Sequence, residues 1–164
     1  MCLLFIRIWQ RLLELSEPER REALDAIRAW AGMSSALRHK DRALRKDEVN
    51  ALGEGNLIEL GAHTVTHASL RLLSNSQQME EISGSKAQLE NIISRPVTSF
   101  SYPHGEYSHE TTQLVRRAGF HGASTTNFQC VLPGRDPFQL PRFQVNDWSG
   151  EEFLRRLARW YALS

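Results

Sequence analysis

The chain has 164 residues, 41% of them hydrophobic and 24% charged, with a formal net charge of +1. That length suits one domain with a sizeable core, and the near-neutral balance supplies no global field to attract nucleic acid or an anionic membrane. No stretch approaches the ~20 apolar residues of a membrane span, and the two cysteines, Cys2 and Cys130, form no CxxC or metal spacing.

The N-terminus, MCLLFIRIWQRLLEL, places Leu4, Ile8, Leu12 and Leu15 on one helical face. Arg7 and Arg11 interrupt its apolar run, and there is no basic leader or small-residue cleavage site, so it reads as an amphipathic helix over 3–15 rather than a signal peptide. On that ground a cytoplasmic location is expected. Ser16, Pro18 and Glu19 supply the start of a second helix. Leu24, Ile27 and Ala31 give it an apolar stripe, and Gly32 ends it.

Residues 33–46 are locally basic, with Arg38, His39, Lys40, Arg42, Arg45 and Lys46. No stacking aromatics are interleaved, so the segment reads as a solvated connector and not a nucleic-acid patch. A short helix over 47–52 follows. The domain plan is therefore a helical segment with its connector over 1–46, then an α/β domain over 47–164.

Residues 57–62, LIELGA, form a short apolar run that reads as a buried strand, and His63 and His67 follow it directly. A capping-box start at Ser74–Gln77 and the apolar positions Met79, Ile82, Leu89 and Ile93 predict a helix over 75–93, stopped by Arg95-Pro96. A second strand is expected over 97–102, then a turn through Pro103, His104 and Gly105. Ser108 caps a third helix that ends at Gly119, and a third strand spans 120–125. Residues 132–137 turn, and Pro141 makes 139–145 a broken or edge strand. Residues 150–161 form a last amphipathic helix. Trp9, Trp30 and Trp160 lie on helix faces, where packing is expected.

Alternating strands and helices from residue 57 onward argue a parallel sheet with right-handed crossovers. Parallel strands put all their C-terminal ends on one side, where ligands bind in such sheets. The polar clusters HTVTH, YPHGEY, TTN and NDW would then share one rim. Histidine pairs four residues apart are also found on surfaces and in hydrogen-bonded cores. It is this convergence that favours a metal site, because imidazole is the commonest side-chain metal ligand. HTVTH lacks the glutamate of a zincin helix, so a metalloprotease is disfavoured.

Over roughly residues 45–155 the chain resembles polysaccharide deacetylases of the NodB-homology type, carbohydrate esterase family 4. His63-Thr64-Val65-Thr66-His67 matches the family's H-[ST]-x-x-H motif. Tyr102-Pro103-His104-Gly105 resembles its R-x-P-[FY]-G motif, and Asp147-Trp148 the end of D-x-x-D-W. The resemblance implies a distorted (β/α) barrel that removes acetyl groups from an acetylated polysaccharide or oligosaccharide with a bound divalent metal, usually zinc. It implies His63 and His67 as metal ligands, the backbone N–H of His104 as oxyanion donor and Trp148 as a wall of the acetyl pocket. Tyr102, Pro103, Gly105, Arg142 and Asp147 would join it in lining the substrate site.

The chain departs from the family pattern in three ways. It contains no Asp-Asp pair, which in the family supplies the catalytic base and the third metal ligand. Ser101 stands where the third motif has arginine; Arg142, in LPRFQV, is the residue that could fill that place and orient a carboxylate, although an ordinary surface ion pair accounts for it equally. No histidine follows His121, so the acid histidine of the last motif has no match. Closed barrels of this kind need at least ~200 residues. The expectation is an incomplete, N-terminally truncated barrel that holds zinc weakly, is impaired or inactive as this chain, and has an exposed sheet edge inviting self-association. The alternative is a non-catalytic remnant or subunit that binds carbohydrate or metal, completed by a partner chain.

Overall fold

The structure, a computed structural model, describes residues 3–33, 42–55 and 57–162. Much of the basic connector, residues 34–41, thus lies outside the described residues. The chain divides into two compact units, 1–58 and 59–164.

The first unit is helical. Helix α1 spans Leu3–Leu13 and packs on α2, Glu17–Trp30. The expected helix over 3–15 stops two residues early, in a turn closed by Glu14 N–H and Leu15 N–H on the carbonyls of Arg11 and Leu12. Ser16 and Glu19 pair before α2, with Ser16 donating both its N–H, at 2.9 Å, and its hydroxyl to the Glu19 carboxylate. Neither helix has a buried residue. Trp30 is 87% exposed, so its expected packing role is not met. Helix α3, Lys46–Gly53, is preceded by Arg42, whose guanidinium grips Glu48 through two bonds of 2.7 and 2.6 Å. Those bonds pull the Glu48 carboxyl down to about 2.

The second unit is a small parallel sheet with helices. Strand β1, Ser99–Ser101, pairs in parallel with β2, Gly122–Ser124. Isolated parallel bridges extend the ladder at both sides, Ala62 to Phe100 and Ser124 to Leu140. The four segments therefore lie in the order Ala62, β1, β2, Leu140, all running the same way. This is the parallel arrangement expected from the alternating pattern, but with much shorter strands. The strand expected over 57–62 shrinks to the one bridge at Ala62, and Leu57 is fully exposed. The physical reason is pairing: among the described residues, 57–61 form no ladder bridge, and apolar content alone cannot satisfy backbone N–H and C=O groups.

Helix α4, Asn75–Ile93, covers the span expected from its periodicity, and Ser74 Oγ accepts from Gln77 N–H at its start. Helix α5, His109–Arg117, is capped by Ser108, whose Oγ accepts from Thr111 N–H at 3.1 Å. The two helices pack together, burying Ile82 and Val115 completely. A polar link crosses the same interface, from Thr111 Oγ1 to Gln78 Oε1 at 2.8 Å. Phe100, Tyr102 and Phe120 form the aromatic core beneath the sheet. Helix α6, Gly150–Tyr161, closes the unit, with Trp160 buried and stacked on Phe143 at 4.3 Å.

Candidate functional site

The parallel order fixes where the site forms. Chain leaving Ala62, β1, β2 and Leu140 emerges on one rim, and these exits carry His63, the Tyr102–Gly105 turn, Thr125-Thr126-Asn127 and Arg142. Hydrogen bonds tie them together. His63 Nδ1 lies 2.7 Å from the Ser101 carbonyl, Thr126 Oγ1 reaches the His104 carbonyl at 3.5 Å, and Arg142 N–H donates to the Asn127 carbonyl at 3.0 Å. Three of the four expected rim clusters are thereby joined.

Three imidazoles form the heart of the rim. The rings of His63 and His67 lie 4.7 Å apart edge-to-face, and those of His67 and His104 also 4.7 Å apart. A carbonyl can only accept, so the His63–Ser101 contact puts the proton on Nδ1 and leaves the Nε2 lone pair available. That is the second-sphere arrangement found behind metal-binding histidines. Burial lowers the pKa of His63; the Ser101 carbonyl opposes this, and His67, Arg142 and His104 add to the lowering. A neutral imidazole, the form that binds metals, is thereby favoured.

The loops holding these rings are strained. Thr64, His67 and His104 all adopt positive φ, at 65°, 57° and 58°. Left-handed backbone costs of order 1–3 kcal/mol per non-glycine residue and clusters at functional sites; for a β-branched threonine it is a genuine outlier. Contacts from elsewhere hold the conformation. Glu81 on α4 accepts from Val65 N–H, Thr66 N–H and Thr66 Oγ1 at 2.8, 2.9 and 2.7 Å. Ser69 Oγ donates to Glu106 at 2.6 Å, joining the segment after His67 to the one after His104. Gly105 is required by crowding as well as by its φ of 74°, because a Cβ there would lie 1.8 Å from Thr126 Oγ1.

The remaining site candidates are placed as follows. Tyr102 and Pro103 are wholly buried. Tyr102 donates its hydroxyl to the Phe138 carbonyl at 2.9 Å, stacks on Tyr107, and has its pKa pushed up to about 12 by burial. These two residues support the histidine turn from below. Arg142 Nη2 donates to Ser101 Oγ at 2.9 Å. The guanidinium thus reaches the very residue that replaces the motif arginine, arriving from the far end of the ladder. Trp148 lies against the guanidinium of Arg156 at 4.2 Å and near Trp160 at 6.1 Å. Asp147 is exposed beside it.

Toward a metal, His63 offers one nitrogen whose tautomer a hydrogen bond fixes, with the His67 ring 4.7 Å away. A catalytic zinc usually has three protein ligands, and the described residues include no group of three His, Cys, Asp or Glu placed to hold a metal ion. The neighbouring carboxylates Glu81 and Glu106 are engaged with the loops. The donor set therefore suits part of a zinc site. Sequence reasoning missed Glu81 and Glu106, since a carboxylate's bond to a distant loop leaves no trace in local spacing.

Comparison with known proteins bears on this geometry. The family model described as polysaccharide deacetylase matches residues 26–123. The putative polysaccharide deacetylase YxkH of Bacillus subtilis (strain 168) is 30% identical over 97 residues, covering 58% of this chain and 35% of that protein. Among solved structures, the Streptococcus pyogenes deacetylase PplD in complex with acetate superposes with a TM-score of 0.65 at 23% identity, over 71% of this chain and 52% of that one. A polysaccharide deacetylase from Bacillus cereus gives 0.63 at 24% identity, over 71% and 37%. IcaB from Ammonifex degensii gives 0.61 at 20% identity, over 79% and 58%. These structures share the fold, and the chain spans about a third of the curated relative's length and roughly half of PplD's. The matched region runs from α2 through β2, more than half of the 164 residues, and includes both histidine turns; by that match the chain belongs to the polysaccharide deacetylase family.

Proposed function

We propose that this chain carries the histidine half of a metal-dependent polysaccharide deacetylase that removes acetyl groups from a carbohydrate, and that alone it is impaired or inactive. The observation that carries the reading is the His63 tautomer. Nδ1–H on the Ser101 carbonyl leaves Nε2 open beside His67. When bound, zinc or another divalent cation supplies Lewis acidity toward an acetyl carbonyl and toward water. His63 and His67 would hold it. The backbone N–H of His104 would donate to the oxygen on which charge develops, in the manner of an oxyanion hole. Arg142, anchored on Ser101, would orient a carboxylate or an acetyl oxygen. Asp147 and Trp148 would border the sugar, and Tyr102, Pro103 and Gly105 would fix the turn on which His104 stands. The domain over 47–164 is the part proposed to act on substrate.

Missing groups account for the impairment. No Asp-Asp pair is present to serve as base and third ligand, and a positioned general base contributes ~10²–10⁴-fold. The same lack favours a second reading, a non-catalytic carbohydrate- or metal-binding subunit completed by a partner chain.

Zinc titration of the parent, His63→Ala and His67→Ala, with acetate release from an acetylated chito-oligosaccharide in parallel, tests this. Weak zinc binding lost in either variant, with turnover near background, is expected. Unchanged zinc affinity in either variant sinks the ligand assignment. Robust zinc-dependent turnover by the parent, lost in His63→Ala, would show that the chain is catalytically complete.

A further inference from the structure

We infer that Glu81 is the positioning residue of the histidine loop: its carboxylate fixes the turn between His63 and His67 and so sets the spacing of the two imidazoles. The inference deepens the metal-binding reading and rests on it for its consequence, though not for its geometry. Both carboxylate oxygens are engaged. One accepts from Val65 N–H and Thr66 N–H, the other from Thr66 Oγ1, at 2.8, 2.9 and 2.7 Å. All three donors lie strictly between the two histidines. Two consecutive peptide N–H groups aimed at one oxygen fix both peptide planes. Those planes fix the backbone at Val65, midway between the two histidines, and so limit how far the loop can reorient them. The loop needs such a hold, because Thr64 and His67 stand in left-handed backbone on either side of the clamped peptides.

The platform behind Glu81 is rigid. Gln78 and Ile82, the residues three before and one after it, are buried in the contact with α5. Gln78 is bonded both to Thr111 and to the Leu73 carbonyl. Gly84, on the same face one turn along, brings α4 close under the loop, since a Cβ there would sit 3.1 Å from Val65 Cγ2. Glu81 is thus a fixed acceptor on a fixed helix, the arrangement that holds a ligating side chain in its productive geometry. Turned onto peptide N–H groups, it acts through the histidines.

The test uses the full chain with Glu81→Ala, Glu81→Asp and Glu81→Gln. Zinc affinity is read by competition with a chromogenic chelator. Hydrogen exchange is followed at the Val65 and Thr66 amides, and ¹H–¹⁵N imidazole correlations report His63 and His67. Outer-sphere partners of this type typically change metal affinity ~10–100-fold, and a loss in that range is expected for Glu81→Ala. Protection at Val65 and Thr66 should vanish while α4 amides stay protected. Glu81→Asp, one methylene too short to reach the loop, should behave like alanine. Glu81→Gln keeps an acceptor for the peptide N–H groups and a partner for the threonine hydroxyl, so it should recover affinity to within a few-fold. That recovery would not follow if Glu81 served only through its charge. Parent-like affinity and unshifted imidazole signals in Glu81→Ala overturn the inference; should that variant not fold, the same result in Glu81→Asp overturns it. If the parent itself binds no zinc, the metal reading fails. The positioning role then stands or falls on whether the imidazole signals move in the metal-free Glu81→Asp protein.

Discussion

Helices α1 and α2 contain no buried residue, whereas α4 and α5 each bury four and share an interface with fully buried Ile82 and Val115. Both pairs are helical, but for different reasons. In the first unit the helices rest on local devices: the Ser16–Glu19 capping pair, Pro18 in the first turn, and ion pairs one turn apart such as Arg28–Asp25 at 2.8 Å. Each such pair is worth a few tenths of a kcal/mol. In the second unit the helices are held by burial and by bonds between residues far apart in sequence. The histidine cluster stands in this second unit, on loops whose strain only such long-range contacts can sustain. Local signals suffice to make a helix; holding three imidazoles in left-handed turns takes a packed scaffold.

The sharpest way to break this contrast is to truncate one residue in each unit. Ile82→Ala should cost about 2–5 kcal/mol, the range for a fully buried aliphatic side chain. Trp30→Ala, at 87% exposure, should shift stability by no more than about 0.5 kcal/mol. Urea unfolding of both variants reads the difference. Equal losses would mean that the first unit hides a core of its own.

A smaller effect should separate the caps. Ser108 Oγ accepts from a backbone N–H at the start of α5, in a partly buried setting. Ser108→Ala should therefore cost about 1 kcal/mol. Ser16 instead directs its hydroxyl to the Glu19 carboxylate in an exposed setting, so Ser16→Ala should cost less. The reverse order, measured by the same unfolding curves, would show that the local devices of the first unit are the stronger ones.

The smallest effect concerns protons. Burial, opposed by the Ser101 carbonyl and reinforced by nearby His67, Arg142 and His104, lowers the pKa of His63 below the ordinary value of about 6.5. Between the folded value and the ordinary one, the unfolded chain binds a proton that the folded chain does not. Stability from this group is therefore fully present above about pH 6.5 and is lost as pH falls through that window. An NMR titration should place the His63 imidazole below the usual histidine range. A value above it would contradict the burial argument, and with it the claim that His63 is neutral and ready to ligate.

How far the sequence is legible varies with the range of the contact. The bounds of α4 and α6 follow from periodicity, and Ser74 and Ser108 were readable as caps because cap and helix are adjacent in the chain. His63, His67 and the turn at His104 were legible as motif residues, and the parallel order put them on one rim. Strand length was not legible. Leu57–Leu60 has the composition of a strand, yet pairing needs a neighbour that composition does not reveal. Trp30 has the helical position of a packing residue yet is 87% exposed, with no partner surface among the described residues.

By itself, then, the sequence determined the helices, the order of the elements and the histidine motif, all of which depend on residues within a turn or two of each other. Tertiary structure decided which nitrogen of His63 is open, through the Ser101 carbonyl 38 residues away. It brought Arg142 to Ser101 across the ladder, laid Trp148 against Arg156, and set Glu81 under the loop. Each of these is a directional contact between residues distant in sequence. Such a contact exists only once strands of fixed register and a helix of fixed rotation have placed donor and acceptor within about 3 Å of each other.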